Sequence, residues 1–243
     1  MDLNSQKTFS KFEDEYWWFV GRRIIIKDLL TKNFKKNNLE ILDWGCGTGK
    51  NYSILSKYGN VLGVDSSEHY IDMNKKKGIL NVLHTNNINE FKPKIYFDLV
   101  TNFDVLEHIK KDDEYLKKVN NLLKPNGHIL ITVPAYQFIW TKLDHVLGHQ
   151  RRYNKKKINV LLEKTGYEII QSSYFFMILS PPFIVVRLFQ KFFDKTGSLE
   201  KNVINLPRLI NKFFILLLKF ESNLIKFISL PFGTSIIVLA KKK

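Results

Sequence analysis

Cysteine is almost absent from the sequence, and basic residues outnumber acidic ones. The single Cys46 excludes a disulfide framework and any zinc site built from several cysteines. No group of histidines and carboxylates has the spacing of metal ligands, so we expect no bound metal. Residues 1–15 are polar and acidic, which predicts that no secretory signal is present. A reducing, cytoplasmic setting is therefore expected.

Lysine is the residue that the sequence has in excess. The 243 residues include 38 Lys and Arg against 23 Asp and Glu, a net charge of +15. Such a charge favours a nucleic acid or an anionic membrane as partner, although a lysine-rich composition also produces a basic surface that is merely solvated. The arginines are scarce, and four of them form the pairs Arg22-Arg23 and Arg151-Arg152, where a planar fork that binds two oxygens is useful. The hydrophobic content of 44% excludes intrinsic disorder.

Segments typical of strands alternate with segments typical of helices. The predicted strands are residues 39–43, 61–64, 97–101, 128–133, 167–173 and 235–239, and the predicted helices are residues 7–34, 51–58, 68–77, 112–123 and 155–165. This alternation predicts βαβ units and a parallel, doubly wound sheet. Sheets of this kind bind ligands beyond the carboxyl ends of their strands.

A glycine-rich loop follows the first predicted strand. It reads Asp43-Trp44-Gly45-Cys46-Gly47-Thr48-Gly49, and Asp65 ends the next strand. Glycine lets the backbone adopt positive φ and lets a ligand approach closely, while the loop N–H groups and the following helix N-terminus favour a negative group. A carboxylate at Asp65 can accept both hydroxyls of a ribose. The loop therefore predicts a nucleotide-like ligand, and it lacks the Lys-Ser/Thr ending of an ATP-binding P-loop.

Five segments, in this order, resemble the successive motifs of class I S-adenosylmethionine (SAM)-dependent methyltransferases. They are Ile41-Leu42-Asp43-Trp44-Gly45-Cys46-Gly47-Thr48-Gly49, Val64-Asp65-Ser66-Ser67, Phe97-Asp98-Leu99-Val100, Asp104-Val105-Leu106-Glu107-His108-Ile109 and Leu123-Lys124-Pro125-Asn126-Gly127. The resemblance covers residues 39–173. It implies an α/β, Rossmann-like fold with a seven-stranded, mostly parallel sheet whose last strand is antiparallel.

The same resemblance implies SAM as cofactor and S-adenosylhomocysteine as product. The cofactor-binding residues that it implies are Asp43, Gly45, Cys46, Gly47, Thr48, Gly49, Asp65, Ser66, Asn86, Asn87, Asp104 and Val105. In that family an Asp after the third strand usually holds the adenine amino group. This sequence has asparagines there, with Asn87 at the best-fitting position and Asn86 as the alternative.

Two further segments resemble one subgroup of these enzymes, whose members often occur with cell-surface glycan or lipid biosynthesis. They read Glu15-Tyr16-Trp17-Trp18-Phe19-Val20-Gly21-Arg22-Arg23 and Gly148-His149-Gln150-Arg151-Arg152-Tyr153, the latter preceded by Trp140 and Asp144. We expect the acceptor-binding residues to be Tyr16, Trp17, Trp18, Arg22, Trp140, Arg151, Arg152 and Tyr153. The alternatives are that the rings only pack on the sheet and that the arginine pair forms an ion pair with Asp144 or with the N-terminal acids Glu13–Glu15.

Methyl transfer needs a general base only when the acceptor must lose a proton. The candidates are His149, Asp144 and His108. His149 is preferred because it follows the predicted strand at residues 128–133 and has aromatic residues, an acid and the arginine pair nearby in sequence. The alternatives are that His149 orients its loop by hydrogen bonding to Asp144, and that His108 caps or packs its helix.

Residues 174–232 interrupt the expected hairpin of the last two strands. An uncharged run over residues 169–186 is borderline in length for a membrane span, but the adjacent Pro181 and Pro182 argue against a simple spanning helix. The predicted organisation is therefore a helical cap at residues 1–34, a methyltransferase domain at residues 35–173 and 233–243, and a helical insertion at residues 174–232.

The second half of the insertion, residues 206–228, has apolar residues at helical spacing. Lys212, Lys219 and Lys226 recur every seven residues on its polar side. A basic amphipathic helix of this kind is typical of an anionic membrane surface, while packing on the domain or dimerisation is the alternative.

Together these features favour a SAM-dependent methyltransferase that acts on a small, amphipathic or lipid- or glycan-linked acceptor at the cytoplasmic face of a membrane. Peripheral contact is expected through residues 174–230. RNA methylation is the alternative enzyme activity, but only the charge suggests it, and no nucleic-acid-binding module is recognised. A SAM-binding, membrane-associated scaffold without turnover is the third hypothesis.

Overall fold

The chain forms a seven-stranded sheet with the order β3-β2-β1-β4-β5-β7-β6 in a computed structural model that describes residues 10–35, 38–85, 87–193 and 206–243. The strands are β1 Leu39–Trp44, β2 Gly59–Asp65, β3 Val82–His84, β4 Phe97–Phe103, β5 Leu123–Pro134, β6 Tyr167–Phe175 and β7 Ser235–Lys242. The pairs β1–β2, β2–β3, β1–β4 and β4–β5 are parallel, and the final strand is antiparallel. The predicted fold class is confirmed.

Helices connect most of the strands, as the sequence predicted. They are α1 Trp17–Asn33, α2 Tyr52–Leu55, α3 Glu68–Lys76, α4 Asp112–Leu122, α5 Lys142–Leu147, α6 Lys155–Lys164, α7 Ser180–Phe193 and α8 Arg208–Ile225, with 3-10 turns at Leu106–His108 and Gln137–Ile139. The helix predicted at residues 51–58 is shorter than expected. Helix α5 was not predicted, because six residues are too few to show a clear helical period.

The central strands explain the position of the glycine loop. Ile41 and Leu42 of β1 and Leu99 and Val100 of β4 are fully buried, as expected for parallel strands covered on both faces. Gly59 begins the β1–β2 ladder opposite Leu39, where a Cβ would lie 1.9 Å from the Leu39 carbonyl oxygen. A glycine is therefore required for the two strands to pair in this register, which places the ends of β1 and β2 side by side.

The described chain divides into two compact units. One, called the helical unit, comprises the described residues within Met1–Asn33, Pro134–Asn154 and Ser173–Ile236. The other, called the sheet unit, comprises those within Phe34–Val133, Lys155–Ser172 and Ile237–Lys243. The predicted cap and insertion both lie mainly in the helical unit. The finer three-part division stays a prediction.

In the helical unit, α8 packs along α1. Leu218 lies against Gly21, where a Cβ would be 2.2 Å from the leucine Cδ1. The Ser222 hydroxyl donates to Asp28 at 2.8 Å, and the Trp17 ring meets Phe214 edge to face. The alternative that the insertion helix packs on the protein is therefore correct for one of its faces.

The opposite face of α8 is exposed although it is apolar. Leu209, Phe213, Leu216 and Phe220 are exposed, and so is Phe227, just after the helix. At about 100° per residue these positions lie roughly 180° from Leu218. The helix thus has two apolar stripes, of which only one is covered by α1.

Helix α7 begins with Ser180-Pro181-Pro182. Prolines are tolerated in the first turn because their missing N–H groups would have no partner within the helix. Among the described residues, no helix is both long enough and apolar enough to cross a membrane.

Candidate active site

The glycine loop follows β1, and its backbone adopts positive φ values that glycine readily takes. Gly45 and Gly47 have φ values of +81° and +53°. The N–H groups of Gly45 and Cys46 both donate to the Val64 carbonyl oxygen, at 2.7 and 3.0 Å. The N–H of Gly47 donates to Asp65 Oδ2 at 2.8 Å, and that of Gly49 donates to the Cys46 carbonyl oxygen. These four N–H groups are therefore used within the protein, so they are not the donors that the sequence analysis expected for a negative ligand. The part of that expectation that concerns the N-terminus of the following helix stays a prediction.

Helix α3 and the residue that follows it, Lys77, donate hydrogen bonds to carbonyl groups of the same loop. The Asn74 amide donates to the Gly47 carbonyl oxygen at 2.8 Å, and Lys77 Nζ donates to that of Thr48 at 2.9 Å. The Cys46 thiol is buried against Ile71 and Val82, and this burial raises its pKa. The thiol thus belongs to the core.

Asp65 ends β2 and connects the strand to the loop. Its Oδ2 accepts the Gly47 N–H, and its Oδ1 accepts the Ser67 N–H at 2.9 Å. Burial raises the pKa of Asp65, although these N–H groups lower it in part. Ser66, beside it, is exposed. The carboxylate is fixed in orientation and retains lone pairs that hydroxyl groups can use.

Two further aspartates lie at the carboxyl ends of β1 and β4. Asp43 is buried and accepts a hydrogen bond from the Thr101 hydroxyl at 2.6 Å. Asp104 has a φ of +55°, and its Oδ1 accepts the Thr132 hydroxyl at 2.9 Å. Asp43, Asp65 and Asp104 therefore mark the carboxyl ends of three adjacent parallel strands.

The segment after β3 contains the asparagines that the resemblance assigned to adenine. Asn87 lies on this segment, its Oδ1 accepts the Asn89 N–H at 3.0 Å, and its amide donates to Glu90 at 2.8 Å. Asn86 lies outside the described residues. A cavity of about 310 Å³ adjoins this segment, and its lining includes Asn87, Trp44 and Tyr115.

The residues of the sheet unit fit the expected cofactor. A Cβ built on Gly47 would meet no atom within 4 Å, so open space lies over this glycine. A Cβ on Gly45 would instead lie 2.3 Å from Val105 Cγ2, so Val105 covers the start of the loop. Bare backbone beside an oriented Asp65 carboxylate is what close binding of a nucleoside requires.

Two of the three candidate bases, Asp144 and His149, lie in the helical unit. The buried carboxylate of Asp144 accepts hydrogen bonds from Arg152 Nε at 2.8 Å and from the Thr141 N–H at 2.9 Å. His149 Nδ1 lies 2.9 Å from its Oδ1. Thr141 and Asp144 form a capping box at the start of α5, and Gly148, with a φ of +79°, ends that helix. The sequence motif T-x-x-D therefore fixes the loop that carries His149.

The charges around Asp144 argue against its role as a general base. Burial would raise its pKa, but the hydrogen bond from His149, the charge of Arg152, the Thr141 N–H and the charge of Arg187 together hold the pKa well below its usual range. The carboxylate is thus a weak proton acceptor. Arg152 forms the ion pair that the sequence left as the alternative to an acceptor clamp.

The aromatic run of α1 is divided between burial and exposure, as its helical spacing required. Trp17 is buried against Phe176 and Phe214. Trp18 is half-buried, and the Arg22 guanidinium lies 4.8 Å from the centre of its ring. Tyr16 is half-buried as well. Trp17 and Phe19 are therefore buried, and Tyr16 and Trp18 retain accessible surface.

The other predicted residues are placed as follows. Trp140 Nε1 donates to His145 at 2.9 Å, and its ring lies edge-on to that of His149. Tyr153 is buried and pairs with Ala135 through a parallel bridge, while Arg151 is half-buried. His108 ends the 3-10 turn after β4, in the sheet unit, whereas His149 and Asp144 lie in the helical unit.

Three residues of the helical unit were missed by the sequence analysis. Thr141 could have been found from its capping-box spacing to Asp144. Tyr136 follows β5 with a φ of +62° and stacks on Tyr174, and burial with this neighbour raises its pKa to about 12. Arg187 of α7 donates to the Thr141 hydroxyl at 2.9 Å. The only feature of the sequence that pointed to Arg187 was that arginine is rare in this chain.

Comparisons with known proteins identify the family of the chain. The chain matches the family model described as a methyltransferase domain over residues 17–172. It is 30% identical over 167 residues to the ubiquinone biosynthesis O-methyltransferase of Pelagibacter ubique, with 57% of this chain and 70% of that protein covered. It is also 30% identical over 148 residues to the protein of that name from Bradyrhizobium diazoefficiens, with 51% of this chain covered. The chain spans only 58% of the length of this second relative.

Solved structures show the same fold. A SAM-dependent methyltransferase from Clostridium acetobutylicum superposes with a TM-score of 0.57 and 16% identity, covering 97% of this chain and 98% of that one. The family model covers more than half of the chain, including the glycine loop and Asp65 that fit the cofactor. The chain therefore belongs to the class I SAM-dependent methyltransferase family.

Proposed function

We propose that this methyltransferase modifies a small, amphipathic or lipid- or glycan-linked acceptor at the cytoplasmic face of a membrane. The observation that carries the proposal is the exposed apolar stripe of α8, opposite the stripe that packs on α1. A row of exposed leucine and phenylalanine side chains on one helix is the pattern of a helix that lies in a membrane interface. The predicted insertion, residues 174–232, would make this contact.

Charge supports an anionic lipid surface as the partner of α8. Lys212 and Lys219 are exposed and lie roughly 60–80° around the helix from the apolar stripe, so they flank it. Lys226 is mostly covered and pairs with Asp28 at 3.2 Å, so it is not part of this basic flank. The net charge of +15 adds a general attraction to anionic lipid.

The names of the relatives support an acceptor with an apolar part. Both relatives are named for O-methylation in ubiquinone biosynthesis. A hydroxyl acceptor must lose its proton as the methyl group is transferred. We propose His149 as the base, because the Nδ1–H bond to Asp144 leaves Nε2 as the basic nitrogen.

The remaining residues have proposed roles that follow their positions. Bound SAM supplies the electrophilic methyl group, and the backbone from Gly45 to Gly49 with Asp65 and Asp104 would hold it. The accessible surfaces of Tyr16, Trp18 and Arg22 and the segment from Trp140 to Arg151 are proposed to contact the acceptor. Asp144, Arg152 and Trp17 would position these groups rather than touch the acceptor.

Vesicle flotation of the full chain tests the membrane contact. We expect the protein to float with vesicles that contain phosphatidylglycerol and to remain unbound with pure phosphatidylcholine. The double variant Phe213→Ser/Phe220→Ser should lose at least tenfold in vesicle affinity, because both exposed rings leave the apolar stripe. Leu80→Ser is the matched control, since Leu80 is an exposed leucine that belongs to the sheet unit and not to the α8 stripe.

Two results would contradict the membrane proposal. One is the absence of flotation with anionic vesicles. The other is equal flotation of the α8 double variant and the wild type. If the protein instead dimerises through this stripe, the double variant would change the molar mass in light scattering and leave flotation unaffected.

Transfer of a labelled methyl group separates the candidate activities. The protein is incubated with radiolabelled SAM and the lipid, glycan and RNA fractions of cells. Label in the lipid or lipid-linked fraction is expected. Label in RNA would favour the alternative activity, and binding of S-adenosylhomocysteine without label in any fraction would favour a scaffold.

A further inference from the structure

Helix α7 has one face that holds the loop of the candidate base. Arg187 Nη1 donates to the Thr141 hydroxyl at 2.9 Å. One turn later, Lys191 Nζ donates to the Phe138 carbonyl oxygen at 3.3 Å. Both contacts reach the segment that precedes α5. Two cationic side chains of the insertion therefore bind the chain segment that leads to Asp144 and His149.

The opposite face of α7 is apolar and exposed. Val185, Phe189 and Phe193 follow one another at intervals of four residues, and all three are exposed. The rings of the two phenylalanines stack with their centres 4.3 Å apart. At about 100° per residue the centre of this face lies roughly 160° from Arg187. One helix therefore joins an aromatic outer face to an inner face that binds the loop.

A continuous chain of hydrogen bonds connects Arg187 to the base. Arg187 donates to the Thr141 hydroxyl, and the Thr141 N–H donates to Asp144 Oδ2. Asp144 Oδ1 accepts a hydrogen bond from Nδ1 of the His149 imidazole, at 2.9 Å. Because Asp144 and Arg152 are buried, this network cannot exchange its partners for water without opening the loop. A displacement of α7 would thus change the setting of His149.

We propose that α7 couples contact with an anionic bilayer to the geometry of His149, with Arg187 as the positioning residue that transmits the coupling. The inference rests on the proposed function and deepens it, since it assigns the Val185–Phe189–Phe193 face to the acyl boundary of the membrane. Contact there restrains α7, and α7 in turn restrains the segment from Gln137 to His149. Membrane binding and the catalytic setting are then linked, and each favours the other.

Hydrogen–deuterium exchange of the full chain tests the coupling without knowledge of the acceptor. Exchange is measured over residues 139–149, free and with phosphatidylglycerol vesicles. In the wild type we expect the vesicles to slow exchange in this segment. Arg187→Gln should raise its exchange at least tenfold in the free protein and abolish the slowing by vesicles, while flotation is retained.

Two variants make the result specific. Arg187→Lys keeps a charged donor and should restore part of the protection. Arg208→Gln removes the same charge from an exposed position at the start of α8 and should leave exchange of residues 139–149 in the free protein unchanged. A ¹⁵N NMR spectrum of His149 adds a measurement that a general loss of stability would not change. The Nδ1–H tautomer should be lost in Arg187→Gln and recovered in Arg187→Lys.

The outcomes separate this inference from the proposed function. Equal exchange of residues 139–149 in Arg187→Gln and the wild type, free and with vesicles, overturns the role of Arg187. Vesicle binding that leaves this segment unchanged in the wild type overturns the coupling, although the membrane location survives. Failure of the wild type to bind vesicles overturns the proposed location and, with it, the coupling to a bilayer.

Discussion

Nδ1 of His149 lies 2.9 Å from Oδ1 of Asp144, which is almost fully buried. Because the charges around Asp144 keep its carboxyl ionised, the imidazole must be the donor in this hydrogen bond. The donor position is thus fixed at Nδ1, and Nε2 is left as the basic nitrogen. The hydrogen bond to Asp144 that the sequence analysis gave as the alternative is therefore present, and this fixed orientation supports the role of His149 as the base that we propose.

Substitution of His149 is expected to reduce methyl transfer without reducing cofactor binding. In His149→Gln, transfer of labelled methyl groups to the fraction that the wild type labels should fall about 10²- to 10⁴-fold, the usual contribution of a general base. The affinity for S-adenosylhomocysteine, measured by calorimetry, should stay within a factor of two or so of the wild type. His69→Gln, on α3, is the control. Full activity of His149→Gln would show that no base acts at this position.

Removal of Asp144 should destabilise the protein strongly. In Asp144→Ala the buried Arg152 guanidinium loses its partner, and breaking a buried ion pair in this way typically costs about 3–5 kcal/mol. The free energy of unfolding is measured by urea denaturation. Lys117→Ala breaks an exposed pair with Asp113 and should cost less than about 1 kcal/mol. Similar losses in the two variants would show that the Asp144 network is not a buried restraint.

Gly45 and Gly78 offer a matched test of the glycine loop. Their φ values are +81° and +82°, so alanine adds about 1–2 kcal/mol of backbone strain at either position. Only at Gly45 would the new Cβ meet another atom, 2.3 Å from Val105 Cγ2, whereas no atom lies within 4 Å at Gly78. Gly45→Ala should therefore weaken binding of S-adenosylhomocysteine more than tenfold and Gly78→Ala should not. Calorimetry on both variants decides, and equal affinities would remove the loop from the cofactor site.

Asp65 is expected to contribute to cofactor affinity through its charge. In Asp65→Asn the amide nitrogen would face a backbone N–H of Gly47 or Ser67, and the acceptors for hydroxyl groups are reduced. Hydrogen bonds to charged groups contribute about 1.5–3 kcal/mol, so affinity for S-adenosylhomocysteine should fall roughly ten- to hundredfold. Asp72→Asn, at an exposed position of α3, should have no effect. An unchanged affinity in Asp65→Asn would exclude the ribose contact.

Local chemistry made the sheet and its loop predictable. A short apolar strand, a run of glycines and an acid at the next strand end require few partners from elsewhere in the chain, so their order alone predicted a nucleotide-like ligand at this loop. The use of the loop N–H groups could not be predicted, because their acceptors, Val64 and Asp65, come from a neighbouring strand. The sequence also does not indicate that Arg187 binds Thr141, because the contact joins segments far apart in the chain.

The spacing of apolar residues in the insertion predicted a helix but did not determine how that helix packs. The apolar spacing of residues 206–228 predicted a helix, and α8 is that helix. It carries two apolar stripes on opposite faces, and periodicity cannot tell which one is covered. The Leu218 stripe is the covered one because Gly21 lets Leu218 approach α1 closely. Packing and an exposed apolar face are therefore compatible properties of one helix.

Glu221 carries the last prediction, which concerns pH. Its carboxylate is fully buried between α8 and the turn after β6, and Oε2 accepts the Ile178 N–H at 2.9 Å. Burial raises its pKa above the ordinary 4.5, although the N–H groups of Phe176, Met177 and Ile178 lower it in part. The folded state therefore binds this proton more tightly than the unfolded state does. The stability that results is present below the ordinary pKa and is lost as the pH rises through the raised value.

Glu221→Gln removes this dependence, because glutamine keeps an oxygen that accepts the same N–H groups and carries no charge. The melting temperatures of the wild type and the variant should converge near pH 4.5, and the wild type should fall increasingly below the variant towards pH 8. Glu163→Gln, an exposed position on α6, should follow the wild type at every pH. Parallel curves for Glu221→Gln and the wild type would mean that Glu221 is no harder to ionise in the folded protein than in the unfolded chain. The carboxylate would then owe its stability at neutral pH to the N–H groups of the turn after β6.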